Sequence, residues 1–147
     1  MSRSRRLQPL AEVAARHAED GARAVARARG QLAAEEARLE ELSGYRRQYD
    51  AMPAAEGPAQ PFSLANRHAF GAQLDEALRL QQQRVAAAQA ELERVVEEWS
   101  GLRRHERAME RLVGRCAGEE QRESDRAEQR GVDDANNARR GSVDHHD

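Results

Sequence analysis

The chain closes on Asp144, His145, His146 and Asp147, and imidazole beside carboxylate is a donor set that can hold a divalent metal. These groups end a stretch with almost nothing apolar, so they are expected to stay solvated and no metal is assigned. Cys116 could act as a thiolate, but no histidine is placed to activate it, and on a helical stripe it reads as a small buried residue. Glu35 with Glu36, and Glu97 with Glu98, are adjacent on a helix and point to different sides, which does not suit general acid and base work. His17, His68 and His105 stand alone and flank an apolar seam. There is no glycine-rich phosphate loop, no Cys-x-x-Cys and no nucleophile elbow. Catalysis is therefore not expected, and neither is a cofactor.

The aromatics remain. The chain has five, Tyr45, Tyr49, Phe62, Phe70 and Trp99, and all but Trp99 surround one break. The stretch LSGYRRQYDAM, residues 42–52, runs straight into it. Tyr45 and Tyr49 are four apart and share a helix face, and Phe70 is expected at the height of Tyr45 across the break. Aromatics gathered in this way can close the open end of a hydrophobic seam, with Phe62, or present a docking patch to a partner.

The elements that position them follow from pattern. Charged residues make up 34% of the chain and aromatics only 3%, which suits long helices with a narrow seam better than a globule. The 24 basic residues, all arginine, and the 26 acidic ones are interspersed, which argues against nucleic acid as a partner. No apolar run is long enough to insert in a membrane, and the basic start MSRSRRLQPLAEVA does not read as a secretory signal. A lone cysteine fits a reducing cytoplasm.

Pro53, Gly57, Pro58 and Pro61 break the helical pattern. The expectation is a helix over about residues 7–52, with Pro9 in or near its first turn, a loop over 53–62, and a second helix from Ser63, its N-cap. These form a hairpin domain over 1–117. Residues 118–147 read as a polar tail, helical to about residue 130 and then disordered. In the second helix Leu74, Leu78, Gln81, Val85, Ala88, Leu92, Val95, Trp99, Leu102, Glu106, Met109, Val113 and Cys116 alternate steps of four and three. Ala14, Ala18, Gly21, Val25, Ala28, Leu32, Glu35, Leu39 and Leu42 do the same in the first, which Leu7 and Leu10 join through one longer step.

An antiparallel pairing makes facing residue numbers add to a constant. The seams then match as Leu42 with Leu74, Glu35 with Gln81, Val25 with Leu92, Leu7 with Met109, and Trp99 against Ala14 and Ala18. The fold class is all-α, a long two-helix antiparallel coiled-coil hairpin. Such a hairpin could serve only as a scaffold that self-associates through its second helix.

The segment RLQPLAEVAARHAEDGARAVA, the spacing of Leu42, Tyr45 and Tyr49, the stretch SLANRHAFGAQLDEAL and the heptad EEWSGLRRHERAMERL together resemble the flagellar export protein FliJ family. The resemblance covers about residues 5–115. It implies a cytoplasmic, non-enzymatic component of the flagellar type III export apparatus, peripheral to the inner membrane at the flagellar base. Its implied partners are the export ATPase ring, the export gate protein and export chaperones. Gate contact in that family maps here onto Leu42, Tyr45, Tyr49, Phe70, Leu74 and Ala77, and ATPase contact onto the N-terminal residues with residues 100–120.

Overall fold

The computed structural model of the chain describes residues 2–53 and 61–144. Nearly all of them lie in two helices packed against each other, α1 (Arg3–Ala51) and α2 (Pro61–Asp144), and no strand occurs among the described residues. The all-α hairpin expected from the heptads is therefore the fold observed. Residues 54–60, most of the expected loop, and the side chain of Phe62 lie outside the described residues.

The helix ends differ from expectation, each for a local reason. α1 starts at Arg3 because Ser2 caps it: the Arg5 N–H donates to Ser2 Oγ at 3.3 Å and the Arg6 N–H to the Ser2 carbonyl at 3.2 Å. Pro9 thus lies inside the helix, where it leaves the Arg5 carbonyl without its helical donor. Pro9 is exposed, so water can take that carbonyl. α2 opens on Pro61, whose fixed φ and missing N–H suit a first helical position, so Ser63 is already inside the helix and is no cap.

The helices divide between two compact units, Glu19–Ser100 and Met1–Ala18 with Gly101–Asp147. In the first, Val25, Ala28, Leu42, Leu74, Gln81, Ala88 and Val95 are buried, all on the seam read from sequence. Its core is Val25, Ala28 and Val95, with Leu92, Val96 and Trp99 packed against them. A long side chain on a helix lies back over the turn N-terminal to its own Cα, which brings the Trp99 indole to this cluster.

The expected polar layer is present. Gln81 is buried, and its Nε2 donates both to the Glu35 backbone carbonyl, at 2.9 Å, and to the Glu35 carboxylate. Both side chains end on groups that an apolar replacement could not satisfy, which ties the register of α2 to one turn of α1. Gln81→Leu is expected to leave stability equal or higher by about 1 kcal/mol, since Glu35 is half-exposed and can be hydrated. The same variant should loosen the register. Thermal melting and cross-linking of cysteine pairs placed across the seam would check both.

In the second unit Ala11, Ala14, Ala18 and Cys116 are buried, while Leu7, Leu102, Met109 and Val113 are half-buried. Leu10, expected in the seam, is 56% exposed. Leu7, Ala11, Ala14 and Ala18 alternate steps of four and three with no longer step, so helical phase places the smaller Ala11 inward and Leu10 outward. Glu120 of α2 accepts hydrogen bonds from the Ser4 N–H, at 2.9 Å, and from the Ser4 hydroxyl. These bonds hold its carboxyl below the usual range. The stabilisation they add is full above the ordinary carboxylate pKa and is lost as pH falls through the depressed one.

The end of α2 also departs from expectation, since the helix continues past residue 130 to Asp144. From Gln121 to Val143 every residue is exposed, so no packing holds this part. Local side-chain pairs support it instead: Gln121 bonds Asp125, Gln129 bonds Asp133, and Arg126 and Arg130 both pair with Glu123.

Candidate partner-docking site

The last turns of α1 and the first turns of α2 bring the expected site residues together. Leu42 and Leu74 are buried in the seam, Ala77 is half-buried at its edge, and Tyr49 is half-buried. Tyr45 and Phe70 are 52% and 49% exposed, large fractions for rings in a chain with so few.

The ring pairing differs from expectation. Phe70 meets Tyr49, with centroids 5.1 Å apart and planes tilted by 56°. Tyr45, expected beside Phe70, makes no ring contact among the described residues. Counting heights along the two helices ignored the lean of each side chain, and that lean decides which ring is within reach.

Tyr49 is held from several directions. Its hydroxyl donates to the Arg67 carbonyl, and the guanidinium carbons of Arg46 and Arg67 lie 5.7 and 5.4 Å from its ring centre. Arg46 also pairs with Asp75, at 3.1 Å, and with Asp50, at 3.6 Å. Gly71 is buried beside this cluster: a Cβ there would stand 3.0 Å from Arg46 Nη1 and 3.4 Å from Tyr49 Cε1. Glycine at this step of the seam lets the tyrosine ring lie against the backbone of α2.

Arg67 closes the end of α1. Its Nη2 donates to the Met52 carbonyl at 2.7 Å and its Nη1 to the Pro53 carbonyl at 3.1 Å, so α2 satisfies acceptors that α1 leaves open. α1 has no basic residue of its own in its last turn, and Arg67 supplies a cation there. Nothing in the sequence reading singled out Arg67 for this. Arg67→Ala is expected to lower stability by about 1–2 kcal/mol and to make the tip more sensitive to protease, with little change in total helicity. Unaltered cleavage at the tip would contradict the clasp.

Met52 and Leu64 are each 57% exposed and were not among the expected site residues. They flank the break in sequence, and their type alone could have flagged them. The tip therefore combines a locked part, Tyr49 with Arg46, Arg67 and Gly71, and an open apolar part, Tyr45, Phe70, Met52 and Leu64. Such a surface can bind a partner by apolar contact.

Among the described residues no three His, Cys, Asp or Glu side chains are grouped to hold a metal; His145, His146 and Asp147 lie outside them. No helix among them is long and apolar enough to cross a membrane. In comparisons with known proteins, a family model described as Flagellar FliJ protein matches residues 3–141. No curated protein and no solved structure matches the chain.

Proposed function

The chain belongs to the flagellar FliJ protein family, a component of the flagellar export system, and from that premise we propose that it is the stalk of the export machinery. In this reading the hairpin stands within the export ATPase ring, docks on the export gate through its tip, and assists delivery of chaperones and their cargo. It acts in the cytoplasm at the flagellar base and catalyses nothing itself. Leu42 and Leu74 set the spacing of the helices beneath the tip, Tyr49 locks it, Ala77 lies at the margin, and Tyr45 and Phe70 make the contact.

The observation that carries this reading is the exposure of Tyr45 and Phe70 above a seam that is otherwise closed. Exposed aromatics on a locked support lose little conformational freedom on binding, which is how a small patch becomes an anchor. The test mixes the purified chain with the export ATPase and with the cytoplasmic domain of the gate protein, each separately, followed by size-exclusion chromatography. Co-elution with both is expected. Failure to co-elute with either would overturn the stalk reading.

A further inference from the structure

The chain has three methionines, at positions 1, 52 and 109, and Met52 and Met109 lie among the described residues. Met109 is half-buried in the seam, whereas Met52 is more than half exposed at the end of α1. The backbone of Met52 is tied on both sides. Its N–H donates to the Tyr49 carbonyl at 3.2 Å, and its carbonyl accepts from Arg67 Nη2 at 2.7 Å. The clasp therefore grips the main chain, and the thioether can be altered without loosening those bonds.

Helical phase groups Met52 with the contact residues. Tyr45 and Met52 are seven apart, as are Phe70 and Ala77, and seven residues fall only about 20° short of two full turns. Each of the four directly precedes a position that the seam reaches by a step of four. In an antiparallel pair such residues flank the seam on the same side in both helices. The opposite side is flanked by Ser43, Asp50, His68 and Asp75, and there Arg46 pairs with both aspartates. One side of the tip is thus apolar and the other polar, and Met52 stands on the apolar one.

We propose that Met52 is a reversible oxidation site that sets how tightly the tip holds the export gate. The inference rests on the reading of the tip as the gate contact. The oxidant is hydrogen peroxide. A lone pair of the Met52 sulfur takes one peroxide oxygen, the O–O bond breaks, and the departing hydroxide removes the proton from the transferred oxygen, which leaves methionine sulfoxide and water. A dithiol-dependent sulfoxide reductase reverses the step: the oxygen leaves as water while two thiols become a disulfide. Cys116 is buried and Met109 half-buried, so peroxide meets Met52 first. Oxidation turns a flexible apolar side chain into a polar one. In the free chain water solvates the new oxygen, and the fold is not disturbed. Against an apolar partner surface the same oxygen is desolvated without a donor, so the cost falls on binding. By linkage, a bound partner shields Met52 from the oxidant.

The full-length chain is treated with hydrogen peroxide, and sulfoxide at each methionine is followed by peptide mass spectrometry. Met52 is expected to oxidise at least about fivefold faster than Met109. The cytoplasmic domain of the gate protein, added beforehand, should slow Met52 by a similar factor and leave Met109 unaffected. The oxidised chain should keep its helicity and bind that domain about tenfold more weakly, and sulfoxide reductase with dithiothreitol should restore the affinity. Met52→Leu should lose no affinity on the same treatment, whereas Met52→Gln, polar from the start, should bind as weakly as the oxidised chain. Equal rates at Met52 and Met109, or equal affinity before and after oxidation, would overturn the proposal and leave the stalk reading in place. A peroxide-induced loss that persists in Met52→Leu would also overturn it, by assigning the effect to another residue. If the untreated chain does not bind the gate domain, the stalk reading falls and the proposal falls with it.

Discussion

Val95→Asp is expected to abolish most of the helicity of the isolated chain at 37 °C, or to lower its melting temperature by well over ten degrees. Val95 is buried in the cluster with Val25 and Ala28, against Leu92, Val96 and Trp99. No basic residue belongs to that cluster, so an aspartate there would either be buried unpaired or force the helices apart. The cost is about 3–5 kcal/mol from the charge alone. A small domain holds only about 5–15 kcal/mol in total, and a seam with alanine or glycine at four of its nine α1 positions from Ala14 to Leu42 belongs at the low end. Aspartate at exposed Ala87 is the control and should cost less than about 1 kcal/mol. Circular dichroism with temperature measures both. An unchanged melting curve for Val95→Asp would mean that this cluster is not the core.

Tyr45→Ala combined with Phe70→Ala is expected to leave the chain folded and to remove most of its affinity for the export gate. Tyr45 makes no ring contact among the described residues. Phe70 contributes mainly its contact with Tyr49, about 0.5–1.5 kcal/mol. Helicity should therefore hold, and melting should move by a few degrees at most. Anchoring aromatics at an interface are each worth 2 kcal/mol or more, so the pair is expected to weaken binding by about thirtyfold to a thousandfold. Leu80→Ala is a matched control, since Leu80 is also exposed and apolar but lies away from the tip. Equal gate affinity in wild type and the double variant, measured by calorimetry, would remove the tip from the docking account. A scaffold role would be left standing.

The heptads carried most of this fold because a buried seam has to obey one period. From Leu74 to Cys116 each position read as seam is buried or half-buried. Leu10 misled because size was weighed above phase: a leucine looks like core, yet an uninterrupted helix has to turn Ala11 inward. At the tip, residue types showed that aromatics gather but not which ones touch. The Tyr49–Phe70 pairing depends on the lean of both rings, and the bonds from Arg67 depend on where the chain leaves α1. The helix was expected to end at about residue 130 for want of apolar residues, and it runs instead to Asp144, with side-chain pairs along it as far as Asp133.

The two ends of α1 have a shared peculiarity. Its first turn carries Arg3, Arg5 and Arg6 and no acid, and its last turn carries Asp50 and no base, so the charges within those turns oppose its dipole at both ends. Glu120 and Arg67, both from α2, supply the missing signs. On the ribosome α1 emerges first. Glu120 follows Ala51 by roughly 70 residues, several seconds at about 5–20 residues per second. Arg67 follows soon after α1, but for that longer interval the first turn of α1 lacks its acidic partner, and its lasting order there begins only when the second half of the chain has been made.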